Sequence, residues 1–171
     1  AGRFSSGKTL ACADLMVMAS QGGVSKEDLL FIDTDAGVRL YIMEDYYRDK
    51  FTVEECLLPE DLKKTLVRIL KEEKKYKVMV IDTVENWQDL AIEETWADTS
   101  LSDIYKEKNT SFMWGRAKKA ITKTLITLSA KKAEMLCLTH HARKEFVAKT
   151  WTGRWEAKYL EPFWNWADFI A

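Results

Sequence analysis

Apolar residues along the chain follow two alternating patterns. Continuous apolar blocks that end in polar residues occur at residues 29–35, 78–82 and 134–139. Such blocks are typical of strands that a parallel sheet buries on both faces. A shorter stretch at residues 51–53 predicts a minor strand.

The stretches between these blocks have helical spacing. Apolar side chains in residues 59–75 recur at three and four positions, after Pro59 and two acidic residues that favour a helix N-terminus. Apolar residues in 113–128 show the same period, and the lysines there fall mostly on the opposite, solvent-facing side of the predicted helix. Helices are also predicted at residues 9–19 (apolar nearly all round, hence buried), 38–47 and 84–96.

Two segments lack this alternation. Residues 97–110 are polar and predict a mobile loop. Beyond residue 142 the chain becomes rich in Arg, Lys and Trp, and we expect hairpin-like strands around Gly153, a short segment from Pro162 and a terminal strand at residues 168–170.

The alternation of helices and strands predicts an α/β fold: a three-layer sandwich with a mainly parallel central sheet. A chain of 171 residues is expected to form a single domain, residues 1–171. No apolar run approaches the roughly 20 residues of a membrane-spanning helix, so no membrane association is expected. The net charge of −1 means that nucleic-acid binding would need a local basic patch. The three widely spaced cysteines suit buried thiols in a reducing cytoplasm.

The most specific motif stands at the start of the chain. Residues 2–9 read Gly-Arg-Phe-Ser-Ser-Gly-Lys-Thr and fit the phosphate-binding pattern G-x-x-x-x-G-K-[ST]. In that pattern, backbone N–H groups surround a phosphate, the lysine reaches the β and γ phosphates, and the threonine hydroxyl coordinates Mg²⁺. The helix that follows directs its positive end at the same anion. Nucleotide contacts are expected from Gly2, Ser5, Ser6, Gly7, Lys8, Thr9 and Leu10.

A phosphate-binding loop normally follows a strand, and only Ala1 precedes Gly2. Either the domain is cropped or the stretch that carries its leading strand has been left out. We expect the second.

Candidate catalytic groups follow the apolar blocks. Ligands of open α/β sheets bind at the carboxyl ends of the strands, where Asp33, Asp35, Asp82 and His140 are expected to lie. Asp82 has the placement of a carboxylate that holds Mg²⁺ through water, beside Thr9.

The attacking water needs a group that orients or deprotonates it. Asp35 is a candidate for that role, and Glu85, three residues after Asp82, competes for it. His140 could sense the γ-phosphate or bond the catalytic water, and the alternative is an ordinary buried histidine. For His141 the ordinary structural role is favoured.

Together these segments resemble a known family. The phosphate loop with Phe4 inside it is similar to that of RecA/RadA-type recombinases, and residues 31–35, 80–82 and 138–140 resemble that family's acidic and sensor strands. Size and spacing look most like the core-only RecA-like ATPases of bacteriophages, including those proposed as single-strand annealing proteins. The resemblance implies a RecA-like P-loop NTPase core that uses ATP and Mg²⁺. It also implies a role in DNA recombination or annealing, in the cytoplasm of a bacterial or phage-infected cell.

Two departures from the family follow from the sequence. Asp35 stands where the recombinases use glutamate, so its carboxylate has a shorter reach and slow hydrolysis is expected. The chain also lacks the recombinases' N-terminal domain, so filament formation has no support from the sequence, and a homo-oligomer stays open.

The segment after the sensor strand mixes basic and aromatic residues, as single-strand binders do. Its candidate contacts to single-stranded DNA are Arg143, Lys144, Lys149 and Arg154. Arg143 or Lys144 could instead act on a neighbouring subunit's nucleotide, as an arginine finger does. The alternative is strand packing and solvated lysines.

Two other functions stay open. The domain could be a nucleotide-dependent switch or partner-binding module with little turnover, because Asp35 replaces glutamate. A small-molecule kinase is less favoured, because kinases usually carry an arginine-rich lid and residues 97–110 contain no arginine.

Overall fold

The computed structural model describes residues 7–147 and 150–157. Helices separate the successive strands up to residue 138. The elements are α1 (Lys8–Gln21), β1 (Leu29–Asp33), α2 (Arg39–Ile42), β2 (Thr52–Glu55), α3 (Pro59–Lys71), β3 (Tyr76–Asp82), α4 (Glu85–Trp96), α5 (Asp103–Lys108), α6 (Thr110–Thr127), β4 (Ala133–Leu138), β5 (Ala142–Val147) and β6 (Thr150–Ala157).

The first four strands form one parallel sheet in the order β2-β1-β3-β4. In the register of β1 and β3, Asp33 lies beside Asp82, and β3 pairs Ile81 with Leu138 of β4. All these strands therefore end at the same edge of the sheet, where ligands of α/β proteins bind.

Helices cover both faces of this sheet, which confirms the α/β sandwich. Because successive strand side chains point to opposite faces, Phe31 and Val80 pack on the α1 side, whereas Ile32 and Ile81 pack on the side of α3, α4 and α6. Every residue of β1 is buried, as expected for a strand covered on both faces.

Helix α1 differs from the prediction of a helix buried all round. Ala13, Met16 and Val17 are buried, but the Met18 side chain is 65% exposed. The helix covers one face of a two-sided sheet, so only one of its sides meets the core.

Three further sequence predictions need correction. The helix expected at residues 38–47 is only α2, four residues long. Residues 97–110 contain α5, whose N-terminus is capped by the Ser102 hydroxyl accepting from the Tyr105 N–H at 3.3 Å. Val147 pairs with Thr150, so the hairpin does not turn at Gly153, which lies within β6 between tryptophans that favour a strand.

β5 and β6 form a separate antiparallel two-stranded sheet. The segments predicted from Pro162 and at residues 168–170 lie outside the described residues. Within the described part of the chain, no helix has the length and apolar character needed to cross a membrane.

Candidate functional site

The predicted phosphate loop enters the described residues at Gly7, and Gly2, Ser5 and Ser6 lie outside them. Gly7 precedes α1 with a left-handed backbone (φ 79°, ψ 14°), a conformation that costs glycine little. Among the described residues, no side chain caps the N-terminus of α1. The positive end of α1 therefore lies at Gly7, the last glycine of the motif, where anion binding at this motif requires it.

The first turn of α1 carries the next predicted residues. The Leu10 side chain packs against the hydrophobic core on the α1 side of the sheet, so it contributes to core packing. The charge of the Lys8 ammonium acts on ionisable groups at two strand ends. It opposes the burial that raises the pKa of Asp82, and it adds to the burial that lowers the pKa of His140.

Asp82 has no exposed surface, like Asp33 on the neighbouring strand. Its Oδ2 accepts a hydrogen bond from the Thr9 hydroxyl at 2.6 Å, and its Oδ1 accepts one from the Thr139 hydroxyl. Burial raises the pKa of Asp82, and the two hydroxyl bonds act in the opposite direction because they stabilise the carboxylate. The structure thus brings together the two residues predicted to hold Mg²⁺.

The two acidic residues after β1 have different surroundings. Asp33 is fully buried, and its carboxylate accepts from the N–H groups of Gly37 and Val38, each at 3.1 Å, and more weakly from that of Asp35 at 3.3 Å. Burial raises the pKa of Asp33 to about 6. Asp33 therefore shapes the turn, whereas the exposed Asp35 is the carboxylate available to a ligand.

Thr34 fastens this turn to the end of β3. Its N–H donates to the Asp82 carbonyl at 2.7 Å, its hydroxyl donates to the Thr83 carbonyl at 2.9 Å, and the same hydroxyl accepts from the Thr83 N–H at 2.7 Å. The Asn86 side-chain amide donates to the Thr34 carbonyl at 2.7 Å. These bonds fix where Asp35 stands relative to Asp82.

Gly37 marks the space between the turn and α1. A Cβ at this position would lie 2.8 Å from Asp35 Oδ1 and 3.1 Å from Thr9 Oγ1. The two oxygens therefore border one small region that only a residue without a side chain leaves open. The Asp35 Oδ1 also accepts from the Gly37 N–H at 3.0 Å.

The oxygen atoms at this edge fit Mg²⁺. Magnesium prefers oxygen ligands, and proteins usually hold it through one or two carboxylates together with water and substrate phosphates. Thr9 and Asp82 provide a hydroxyl and a carboxylate of that kind, close to the region that Gly37 leaves open. Among the described residues no group of three His, Cys, Asp or Glu side chains could hold a metal.

Glu85 and the two histidines form a second cluster beside Asp82. Glu85 Oε1 accepts from the His141 N–H at 2.5 Å and lies 3.2 Å from His141 Nδ1, whereas Oε2 is buried without a hydrogen-bond partner in the described structure. His140 is buried, its Nδ1 lies 3.1 Å from the His141 carbonyl oxygen, and burial lowers its pKa. A neutral His140 at the end of β4 suits the predicted sensor.

The predicted DNA-contacting residues follow the parallel sheet in the sequence. Arg143 and Lys144 are on β5, Arg154 is on β6, and Lys149 lies outside the described residues. The register places Arg143 opposite Glu156 and Lys144 opposite Trp155.

Sequence reasoning overlooked the threonines of this site. Thr34, Thr83 and Thr139 each follow the last residue of a central strand, and their bonds connect β1, β3 and β4 at the ligand edge. The recurrence of threonine directly after three buried strands was a signal that could have identified them.

A comparison with protein families identifies the family of the chain. The model of a family described as "AAA domain" matches residues 1–171. No curated protein matches the chain. The match covers the whole chain, including the phosphate-loop motif and the strand ends described above. The chain therefore belongs to the AAA domain family, a family of P-loop ATPase domains.

Proposed function

We propose that this protein binds ATP with Mg²⁺ and hydrolyses it at the carboxyl edge of its parallel sheet. One observation carries the proposal: the Thr9 hydroxyl of the phosphate-loop motif lies 2.6 Å from Asp82 Oδ2, at the end of a different strand. Lys8 directly precedes Thr9 in the same motif, and the exposed carboxylate of Asp35 borders the region that Gly37 leaves open beside Thr9. Hydrolysis of a magnesium nucleotide needs these groups in one place.

Each residue has a role that its surroundings support. Lys8 and the N-terminus of α1 would bind the β and γ phosphates, because both present positive charge to the loop. Thr9 would contact Mg²⁺ directly and Asp82 would hold it through water. The ion, when bound, neutralises charge that develops on the phosphates.

Asp35 is the better candidate for the group that orients the attacking water. It is exposed, and Asn86 and Thr83 hold the preceding residue, Thr34, at the end of β3. Glu85 is mostly buried, and its Oε1 is already bonded to the His141 N–H. A carboxylate that must accept a proton from water needs a free, accessible oxygen, which favours Asp35.

Lys8→Ala tests the proposal in a nucleotide-binding and hydrolysis assay. Loss of the ammonium should weaken ATP binding at least 10-fold and abolish hydrolysis, because the phosphates lose their charge partner. Lys64→Ala, an exposed lysine on α3, is the matched control and should leave both unchanged. Unchanged ATP affinity in Lys8→Ala would refute the site.

The second candidate function is a nucleotide-dependent switch or partner-binding module that hydrolyses ATP slowly or not at all. Asp35 is shorter than glutamate, and its Oδ1 is bonded to the Gly37 N–H in the structure. Such a domain would act as a switch that binds a partner according to its nucleotide. Asp35→Glu distinguishes the two: hydrolysis should rise if reach limits the rate, and should stay unchanged if the domain has another task.

The biological setting that we propose is DNA recombination or single-strand annealing of the phage RecA-like type. The resemblance of the phosphate loop and of the three strand-end segments to RecA-type proteins supports it. The hairpin that follows the sensor strand supports it too, because it carries Arg143, Lys144 and Arg154 close in sequence to the nucleotide edge. Single-stranded DNA would bind there. In an oligomer, Arg143 or Lys144 would instead act on a neighbouring subunit's nucleotide.

A further inference from the structure

Thr139 contacts the Asp82 carboxylate, although it has no role of its own in the proposed hydrolysis. Its hydroxyl donates to Asp82 Oδ1, while the Thr9 hydroxyl donates to Oδ2. The carboxylate therefore has one oxygen facing the phosphate-loop helix and the other facing β4. A carboxylate held at both oxygens cannot rotate about its terminal torsion without losing a bond.

Two backbone hydrogen bonds fix the position of Thr139. Its N–H donates to the Ile81 carbonyl at 3.1 Å, and its carbonyl accepts from the Val84 N–H at 3.0 Å. These bonds lie on either side of Asp82 in the sequence, so Thr139 is fixed to the same turn that carries the carboxylate. The Thr139 residue is only 6% exposed, which keeps water from replacing its hydroxyl.

We infer that Thr139 is a positioning residue for the magnesium site: its hydroxyl fixes the Asp82 carboxylate so that Oδ2 faces Thr9 and the bound ion. This inference rests on the proposed function. Groups that orient a metal-binding carboxylate are typically worth 10- to 100-fold in metal affinity. The role requires a hydroxyl at residue 139 and no particular size, so serine should replace threonine, and valine, its apolar isostere, should not.

The experiment measures binding of a non-hydrolysable ATP analogue by calorimetry, in EDTA and over a range of Mg²⁺ concentrations. Thr139→Val should keep the affinity measured in EDTA and lose about 10- to 100-fold in the apparent Mg²⁺ affinity. Thr139→Ser should remain within about 3-fold of the original protein in both. Thr127→Val removes a helix hydroxyl that bonds the Lys123 carbonyl at 2.9 Å, far along α6, and should change neither.

Two results would overturn the inference. Full Mg²⁺ affinity in Thr139→Val would show that the hydroxyl is dispensable, and equal losses in the serine and valine variants would show that packing, and not the hydroxyl, is what matters. If the original protein shows no gain from Mg²⁺ at all, the proposed function fails, and a nucleotide-free test then decides the contact.

That second test is a double-mutant cycle read by urea unfolding. Thr139→Val should lower the urea midpoint in the original background, because a buried carboxylate oxygen loses its donor. In the Asp82→Ala background the same substitution should lower the midpoint by less, since no carboxylate remains to be bonded. Equal shifts in both backgrounds would refute the contact, whatever the protein binds.

Discussion

The Thr9 hydroxyl donates to Asp82 Oδ2 across 2.6 Å, although the two residues are 73 positions apart in the sequence. One stands in the first turn of α1 and the other at the last position of β3. Parallel pairing makes this meeting possible, because it brings all strand ends to the edge where α1 begins. The contact brings together the two residues that we propose hold Mg²⁺.

Gly37→Ala is predicted to damage this site while leaving the fold intact. The added methyl group would lie 2.8 Å from Asp35 Oδ1 and 3.1 Å from Thr9 Oγ1, so one of the two oxygens must move. Hydrolysis should fall at least 10-fold, because a shift of about 1 Å in a catalytic group is enough for such a loss. The measurement is steady-state ATP hydrolysis.

Gly115→Ala is the control for that substitution. A Cβ at Gly115, within α6, meets nothing within 4 Å. Alanine there should stabilise the helix by about 0.5–1 kcal/mol and leave hydrolysis unchanged. Equal activity of the two variants would show that the region beside Gly37 is not used.

Asp35→Asn and Glu85→Gln separate the two candidates for orienting water. Asp35→Asn should reduce the hydrolysis rate roughly 10²- to 10⁴-fold while keeping ATP affinity, because the amide cannot accept the proton. Glu85→Gln should cost less than about 10-fold, since its Oε1 can still accept the His141 N–H. Single-turnover kinetics measure both effects, and the reverse order would assign the role to Glu85.

Asp33 should make stability depend on pH in a particular direction. Its pKa is raised from 3.8 to about 6 because the carboxylate is buried, so the native state holds the proton more tightly than the unfolded chain. The free energy of unfolding should therefore fall as pH rises from about 4 to about 6, by on the order of 3 kcal/mol for a fully buried group. Urea unfolding at a series of pH values measures this fall.

Asp33→Asn should remove that fall, because asparagine does not titrate. Asp89→Asn, an exposed position on α4, should keep it. A profile that stays unchanged in Asp33→Asn would place the titrating group elsewhere.

DNA binding by the hairpin is tested with a combined Arg143→Ala and Arg154→Ala variant. If each arginine pairs with a phosphate, affinity for single-stranded DNA should fall, and the slope of log affinity against log salt should decrease by about 0.7 per lost contact. A variant with Lys64→Ala and Lys71→Ala, which removes the same charge from exposed positions of α3, is the control. Equal losses in both variants would indicate a general charge effect and no hairpin site.

The sequence predicted those parts of the protein whose signals are local. The central strands are continuous apolar blocks, and Lys8 and Thr9 belong to a motif of fixed spacing, so both could be read without the fold. Helix α5 was missed because its polar residues resemble a loop and its signal is a single N-cap, Ser102.

The contacts within the site depend on register, which sequence patterns do not give. The bond between Thr139 and Asp82 joins residues 57 apart, and those between Thr34 and Thr83 join residues 49 apart. Asp33 and Asp35 look alike in the sequence. Only the turn decides that Asp33 faces inward to the backbone and Asp35 faces outward.

The most direct test of the site is a crystal structure of the protein with Mg²⁺ and a non-hydrolysable ATP analogue. Thr9 Oγ1 should lie about 2.0–2.1 Å from the metal, with Asp82 one water molecule away and the γ-phosphate between Lys8 and Asp35. A nucleotide bound elsewhere, or a metal held without Thr9 and Asp82, would contradict the account.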